Sequence, residues 1–210
     1  PNVVTPISSE KIKEMMAVEW ALFTKSTFAS GVESTIAKDS SPLGVTSSFQ
    51  YWDPYPISVV SAKGAWMTDV DGRQLLDLSM GFGAMLAGHL NEEVIAETKA
   101  ALEGGTLFVT PSPISRDGAE RLCKRFGIEK VRFANSGTEA TMYAVRTAKA
   151  FTGKSAIVKL EGGYHGSYDP LTVSAKPSLD LAGNPEEPNP VIGHGVNAGV
   201  VFVVPFNNLP

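Results

Sequence analysis

The sequence predicts an α/β fold, and three stretches carry that prediction. Residues 131–160 run strand, turn, helix, strand. V-R-F-A-N at 131–135 has the length and apolar content of a buried strand. Ser136-Gly137-Thr138 then turns, and the run to Thr152 holds no proline and closes on Gly153, where a helix C-terminus places a glycine. A strand follows at 156–160, which makes a βαβ unit with a right-handed crossover. The second stretch, G-V-V-F-V-V-P at 199–205, reads as a buried β run. The third is a set of short strands at 57–60, 65–68 and 75–78, with Asp71-Gly72 as a hairpin turn, which implies a small antiparallel sheet.

From the N-terminus, residues 1–42 are rich in Ser, Thr and Lys and hold one helix at about 8–28. Met15, Met16, Trp20 and Phe23 give that helix an apolar stripe, to be packed on the body of the protein or on a partner subunit. Ser40-Ser41-Pro42 begins a turn, and Y-W-D-P-Y-P at 51–56 is a fixed irregular segment. After the three strands, S-M-G-F-G-A-M at 79–85 breaks all periodicity. A helix at 92–102 carries Val94, Ile95, Thr98, Ala101 and Leu102 on one face and stops at Gly104-Gly105. A loop through Pro111 and Pro113 leads to a helix at 114–126, in which Cys123 is a buried, inert thiol. Lys159, in the strand at 156–160, faces a helix or solvent. Residues 177–197, rich in Pro and Asn, form a long surface loop.

Composition narrows the function classes. Of 210 residues, 43% are hydrophobic and 19% charged, the profile of a globular protein with a substantial core. A formal charge of -4 gives no basic footprint for nucleic acid. Three histidines and one cysteine leave no zinc set, so no metal is expected. There is no internal disulfide, no signal-peptide pattern and no apolar run of membrane-span length, so the expected location is the cytoplasm.

The chemistry is concentrated at Ser136-Gly137-Thr138. These residues place backbone N–H groups and two hydroxyls at the positive end of a helix, which binds a phosphate without a cationic side chain. Gly137 lets the backbone approach an anion closely. The same S-G-T-E also reads as an ordinary N-cap, with Glu139 completing it.

Longer motifs surround this turn: N-S-G-T-E-A-T at 135–141, A-V-R-T-A-K-A-F-T-G at 144–153, E-G-G-Y-H-G at 161–166, W-M-T-D-V-D-G at 66–72, and Gly88-His89. Over about 44–169, in order and spacing, the chain resembles the class III, fold-type-I aminotransferases that use pyridoxal 5'-phosphate (PLP), and within them the glutamate-1-semialdehyde aminomutase branch. That resemblance implies a mixed, mainly parallel sheet with flanking helices, plus part of a smaller N-terminal α+β domain. Residues 1–90 would be the N-terminal segment and first part of the small domain, and 91–210 the first half of the large PLP-binding domain. It also implies a homodimer acting on a small amino donor and a keto or aldehyde acceptor.

Residue by residue, the resemblance assigns the PLP phosphate to Gly137 and Thr138 with Ser136 beside them, and the pyridine ring to Tyr164. His165 and Glu139 match the pattern as groups that orient their neighbours and the loop. Ser47 matches the substrate-pocket Ser, and Phe82 stands where the aminomutase branch has Trp. Gln50 stands where that branch has the Arg that pairs with a substrate carboxylate, a charged fork that a neutral amide does not replace. Tyr51, Trp52, Tyr55 and Phe82 would line a more apolar pocket instead. G-H-A-H-P has become G-H-L-N-E at 88–92.

The family's cofactor-binding lysine, and the Asp that pairs with the pyridine nitrogen, come after the matched region, so no catalytic residue is assigned here and this chain alone would be inactive. The expected activity is that of an aminotransferase. The aminomutase itself, and a racemase or decarboxylase of the same fold, are alternatives, and so is a non-catalytic relative.

Overall fold

The computed structural model describes residues 7–208. The chain forms two compact units, Pro1–Phe108 and Val109–Pro210.

The first unit opens with α1 (Ser9–Ser26) and α2 (Phe28–Ala37). The sequence pattern gives one helix here, and the chain breaks at Thr27. That residue is fully buried with φ -129° and ψ 37°; its hydroxyl donates to the Phe23 carbonyl at 2.6 Å and lies 3.2 Å from the Tyr55 hydroxyl. The cap of α2 is remote. The Asp71 carboxylate accepts from the Ala29 and Ser30 amides at 2.7 and 3.0 Å and from the Ser30 hydroxyl at 2.8 Å. Ser30 in turn accepts from the Ser58 amide. Phe23 leans on Tyr55, their ring centres 5.4 Å apart. The rest of the α1 stripe is not buried by the described residues: Met15, Met16 and Trp20 are about half exposed.

Strands β1 (Val59–Lys63), β2 (Trp66–Asp69) and β3 (Gln74–Leu76) form the antiparallel sheet in chain order. The Asp71-Gly72 turn joins β2 to β3. There the buried Asp69 carboxylate accepts from the Arg73 amide and guanidinium at 2.8 and 2.7 Å. Gly64 and His89 exchange a pair of backbone hydrogen bonds, and the His89 ring lies 2.7 Å from the Asp77 carboxylate. The changed G-H-L-N-E stretch has a local reason: Asn91 caps α3 (Glu92–Glu103) by accepting from the Val94 amide.

In the second unit α4 (Pro113–Phe126) begins with Pro113 after the Ser112 cap, and Cys123 is half-buried on it. Next comes α5 (Gly137–Thr152), stopped by Gly153 in the left-handed conformation. Strand β4 (Ile157–Leu160) pairs parallel with β7 (Val201–Val204), in the register Ile157 to Val201 through Leu160 to Val204. Three expectations are corrected here. Residues 131–135 do not form a strand, because none of the described residues lies alongside to pair their backbone groups. The expected loop at 177–197 contains a one-turn helix, α7 (Leu179–Ala182), and a two-residue pair, β5 (Gly183–Asn184) with β6 (Glu187–Pro188); α6 (Asp169–Thr172) lies just before it. Lys159 does not face solvent: it is 5% exposed, and its ammonium donates to the carbonyl of Gly163 and, at the C-terminal end of α6, to those of Leu171 and Val173.

Hydrogen bonds to Asp71 hold α2 against the sheet, and the sign of their pH dependence follows from its carboxyl. Burial pushes that carboxyl up; the bonds from Ser30 and Ala29 and the Arg73 charge outweigh it, leaving the group below its ordinary 3.8. Its stabilisation is therefore complete above that value and is lost as pH falls through the lower folded value. Asp71→Asn should lower the urea midpoint of the full-length protein at neutral pH, and its gap from wild type should close in acid. A gap that persists unchanged below 3.8 would assign the effect to something other than the carboxylate charge.

Candidate cofactor site

The site is built where the loop after β4 meets the first turn of α5. Ser136, in extended conformation, caps the helix by accepting from the Glu139 amide at 3.2 Å, and the Glu139 carboxylate reaches back to the Asn135 amide at 2.7 Å. The capping reading of S-G-T-E thus describes both side chains, and it leaves other groups free. Among the described residues the N–H groups of Gly137 and Thr138 have no acceptor. A Cβ added at Gly137 would meet nothing within 4 Å, so open space lies over the turn. Ser136 and Thr138 both use their hydroxyl oxygens as acceptors, which leaves each hydroxyl proton available to an incoming anion.

The loop is pressed against this turn. The Ser167 amide donates to the Thr138 hydroxyl at 3.0 Å, and the Thr141 hydroxyl lies 2.8 Å from the His165 carbonyl. Gly166, at φ +93°, makes the approach: a Cβ there would stand 2.7 Å from the Thr138 Cα and 2.6 Å from its hydroxyl oxygen. The structure therefore brings Ser136, Gly137, Thr138, Glu139 and the backbone of His165 together. Tyr164, about half exposed, precedes the joint on the same loop. The His165 ring folds back on Gly163, its Nε2 2.9 Å from where a Cβ of that residue would stand. Thr141 and Ser167 were not read from the sequence as site residues. The signal for Thr141 was its place one turn after Thr138, and for Ser167 the position after Y-H-G.

The residues assigned to a substrate pocket lie in the first unit. Ser47 and Gln50 form a capping box on one turn, Ser48–Gln50. Gln50 Oε1 accepts from the Thr46 amide and hydroxyl at 3.2 and 2.9 Å and from the Ser47 amide at 3.3 Å. Its NH2 group has no acceptor among the described residues. Gln50, Trp52 and Tyr55 share a groove of about 740 Å³ with Phe23, Asp53 and Val59. Tyr51 and Phe82 are outside its lining. Phe82 is displayed on the 79–85 loop, whose amides at Ser79 and Met80 are held by the Asp77 carboxylate. It sits at φ +57°, a strained conformation for an aromatic residue, with its ring edge-on to Phe49 at 6.0 Å. Among the described residues no group of three or more His, Cys, Asp or Glu is placed to hold a metal ion, and no helix is long and apolar enough to cross a membrane.

The class-III aminotransferase family model matches residues 49–182. A glutamate-1-semialdehyde 2,1-aminomutase of Methanothrix thermoacetophila is 37% identical over 174 residues, which cover 82% of this chain and 40% of that protein. Among solved structures, an omega-transaminase from Sphaerobacter thermophilus superposes with a TM-score of 0.80 at 34% identity, covering 86% of this chain and 42% of the other. A transaminase with PLP bound gives 0.76 at 37% identity, covering 87% and 42%. The chain thus spans about 40% of the length of the curated relative it matches.

The open turn gives a prediction with two variants in the full-length protein. Gly137→Val should fold, since its Cβ enters open space, and should lose PLP affinity because that space is then filled. Thr138→Val removes one hydroxyl donor and should cost about 1.5–3 kcal/mol of cofactor affinity, whereas Thr138→Ser should keep most of it. Dialysis followed by cofactor titration measures both. Unchanged affinity in the two valine variants would remove the turn from the site.

Proposed function

The chain belongs to the class-III aminotransferases, and we propose that it supplies the phosphate- and ring-binding part of a PLP-dependent enzyme that moves an amino group between an amino acid or amine and a keto acid or aldehyde. The observation that carries this reading is the unpartnered pair of N–H groups at Gly137 and Thr138, at a helix N-terminus, under space that a Cβ at Gly137 would enter.

The phosphate of the cofactor would lie against those N–H groups and the Ser136 and Thr138 hydroxyl protons. When bound, PLP supplies an electron sink that makes the substrate's Cα–H bond labile. The protein's part here is to bind and orient. Ser136 and Glu139 hold the turn in its capped form, so the amides are aimed before any ligand arrives. Tyr164 offers a ring face to a planar heteroaromatic, where an offset stack excludes water from one side. Gly166 and Ser167 keep that loop within reach of Thr138.

For the substrate end we infer a neutral or apolar group. Gln50 lines the groove with Trp52 and Tyr55 and brings no charge to it, and its oxygen is already committed to Thr46 and Ser47. A groove that buries an apolar group gains about 25 cal/mol per Å² of apolar surface, enough to select without a charge pair. A second reading, a glutamate-1-semialdehyde aminomutase, is favoured by the relative of that name at 37% identity.

Turnover decides between the two. The purified full-length protein should be yellow and should lose its colour with an amine donor; a protein that binds PLP without responding to any donor is a non-catalytic relative. Given a panel of aromatic and aliphatic amines and amino acids beside glutamate-1-semialdehyde, kcat/KM should be at least about tenfold higher for the best apolar donor than for the semialdehyde, the loss of one charged hydrogen-bonded contact. Efficient turnover of the semialdehyde with little activity on the others would establish the aminomutase instead.

A further inference from the structure

Lys159 is a cation in the most enclosed part of the second unit, next to Val173 at 0%, Ser174 at 2% and Leu171 at 5% exposure. Among the described residues no carboxylate pairs with it. An ammonium has three donors and no acceptor, and burying it is unfavourable unless all three are used. They are used: Nζ donates to the Gly163 carbonyl at 2.9 Å, to that of Leu171 at 3.1 Å and to that of Val173. Burial also pulls the ammonium below its ordinary 10.5, as desolvation of a cation does.

The position of these carbonyls in the chain gives the arrangement its consequence. Gly163 immediately precedes Tyr164 and His165, while Leu171 and Val173 lie on the far side of the same loop, at the end of α6. One side chain therefore ties both ends of the segment that carries Tyr164. The middle of the segment is tied to α5, through the Ser167 amide on Thr138 and the Thr141 hydroxyl at the His165 carbonyl. The Gly162 amide adds a bond to the Ser174 carbonyl at 2.9 Å. A loop fixed at its ends by β4 and at its centre by the first turn of α5 has one placement relative to that turn.

We propose that Lys159 is a positioning residue for the cofactor site: its buried ammonium clamps the carbonyls of Gly163, Leu171 and Val173 and so sets where the segment carrying Tyr164 lies relative to the Ser136–Thr138 turn. This rests on the PLP reading above, and it concerns a side chain that touches neither cofactor nor substrate. Removing the charge leaves two buried carbonyls and one part-buried carbonyl without this donor, and the segment then finds water by moving outward.

The experiment uses the full-length apoprotein as wild type, Lys159→Met, Tyr164→Ala and the double variant. PLP affinity is measured by titration, the bound cofactor by its absorption spectrum, and residues 162–173 by amide hydrogen exchange. Lys159→Met should lose exchange protection over 162–173, shift the bound-cofactor band and weaken PLP about tenfold or more, the scale of a lost hydrogen bond to a charged group. In the Tyr164→Ala background the same change should add less than about threefold, because the ring it positions is already gone. Lys159→Gln, which keeps two N–H donors on a shorter stem, should fall between and remain folded if Lys159→Met does not.

Equal losses in both backgrounds would make Lys159 merely structural and overturn the proposal, as would unchanged affinity with unchanged protection. A wild-type protein that binds no PLP would sink the functional reading. The exchange comparison would still stand in that case: protection lost across the loop supports the clamp, and protection retained overturns it.

Discussion

The close approach of the Gly166 backbone to Thr138 is the constraint on which the second unit's site depends. With a Cβ-to-Cα distance of only 2.7 Å available, no side chain fits at Gly166. That contact puts the Ser167 amide on the Thr138 hydroxyl and the His165 carbonyl within reach of Thr141. The loop after β4 and the N-terminus of α5 therefore behave as one piece. In an open α/β sheet ligands bind outside the carboxyl ends of the strands, and this joint lies just past the carboxyl end of β4. A helix N-terminus of this kind attracts an anion through backbone N–H groups and the helix dipole. None of the hydrogen bonds that shape the turn uses a lysine or arginine, in keeping with a chain whose formal charge is -4.

Much of this was legible because the signals are local. Ser136 caps three residues before its partner amide, Gly153 ends the helix it closes, and Asp71-Gly72 turns the hairpin it interrupts. The misses share the opposite property. The residues at 131–135 are strand-like in composition, yet a strand is defined by a neighbour that pairs with it, and composition carries no information about that neighbour. The second helix at 28–37 is too rich in small and β-branched residues to announce itself, and its cap is a carboxylate 41 or 42 residues later. Asp71 was visible as a turn residue; its other task, holding Ala29 and Ser30, was not. Lys159 breaks an apolar run, which marks it as unusual, but the three carbonyls that satisfy it lie on a segment whose path the local pattern does not fix.

The candidate site shows why a capping reading and a binding reading of the same four residues are compatible. A helix N-terminus has four N–H groups without partners, and a cap of the Ser136 and Glu139 kind uses side-chain oxygens for the Glu139 and Asn135 amides. The Gly137 and Thr138 amides between them are left over. The cap thus orders the turn and leaves those two amides without a partner among the described residues, so the same sequence can stabilise the helix and still offer donors to a ligand.

Gln50 follows the same logic with a different outcome. An Arg at that position would bring five donors and a fixed charge. Gln50 instead spends its oxygen on Thr46 and Ser47, closing a box that Ser47 completes from the other side. Arg cannot accept hydrogen bonds, so it could not make this box; the two residue types imply different local backbones as well as different charges. The neutral side chain is thereby part of how the 46–50 turn is built. Gln50 also lines a groove with Trp52 and Tyr55, to which an amide adds no charge to hold a carboxylate. An Arg at position 50 would therefore remove the acceptor that organises the turn at the same moment as it adds a charge.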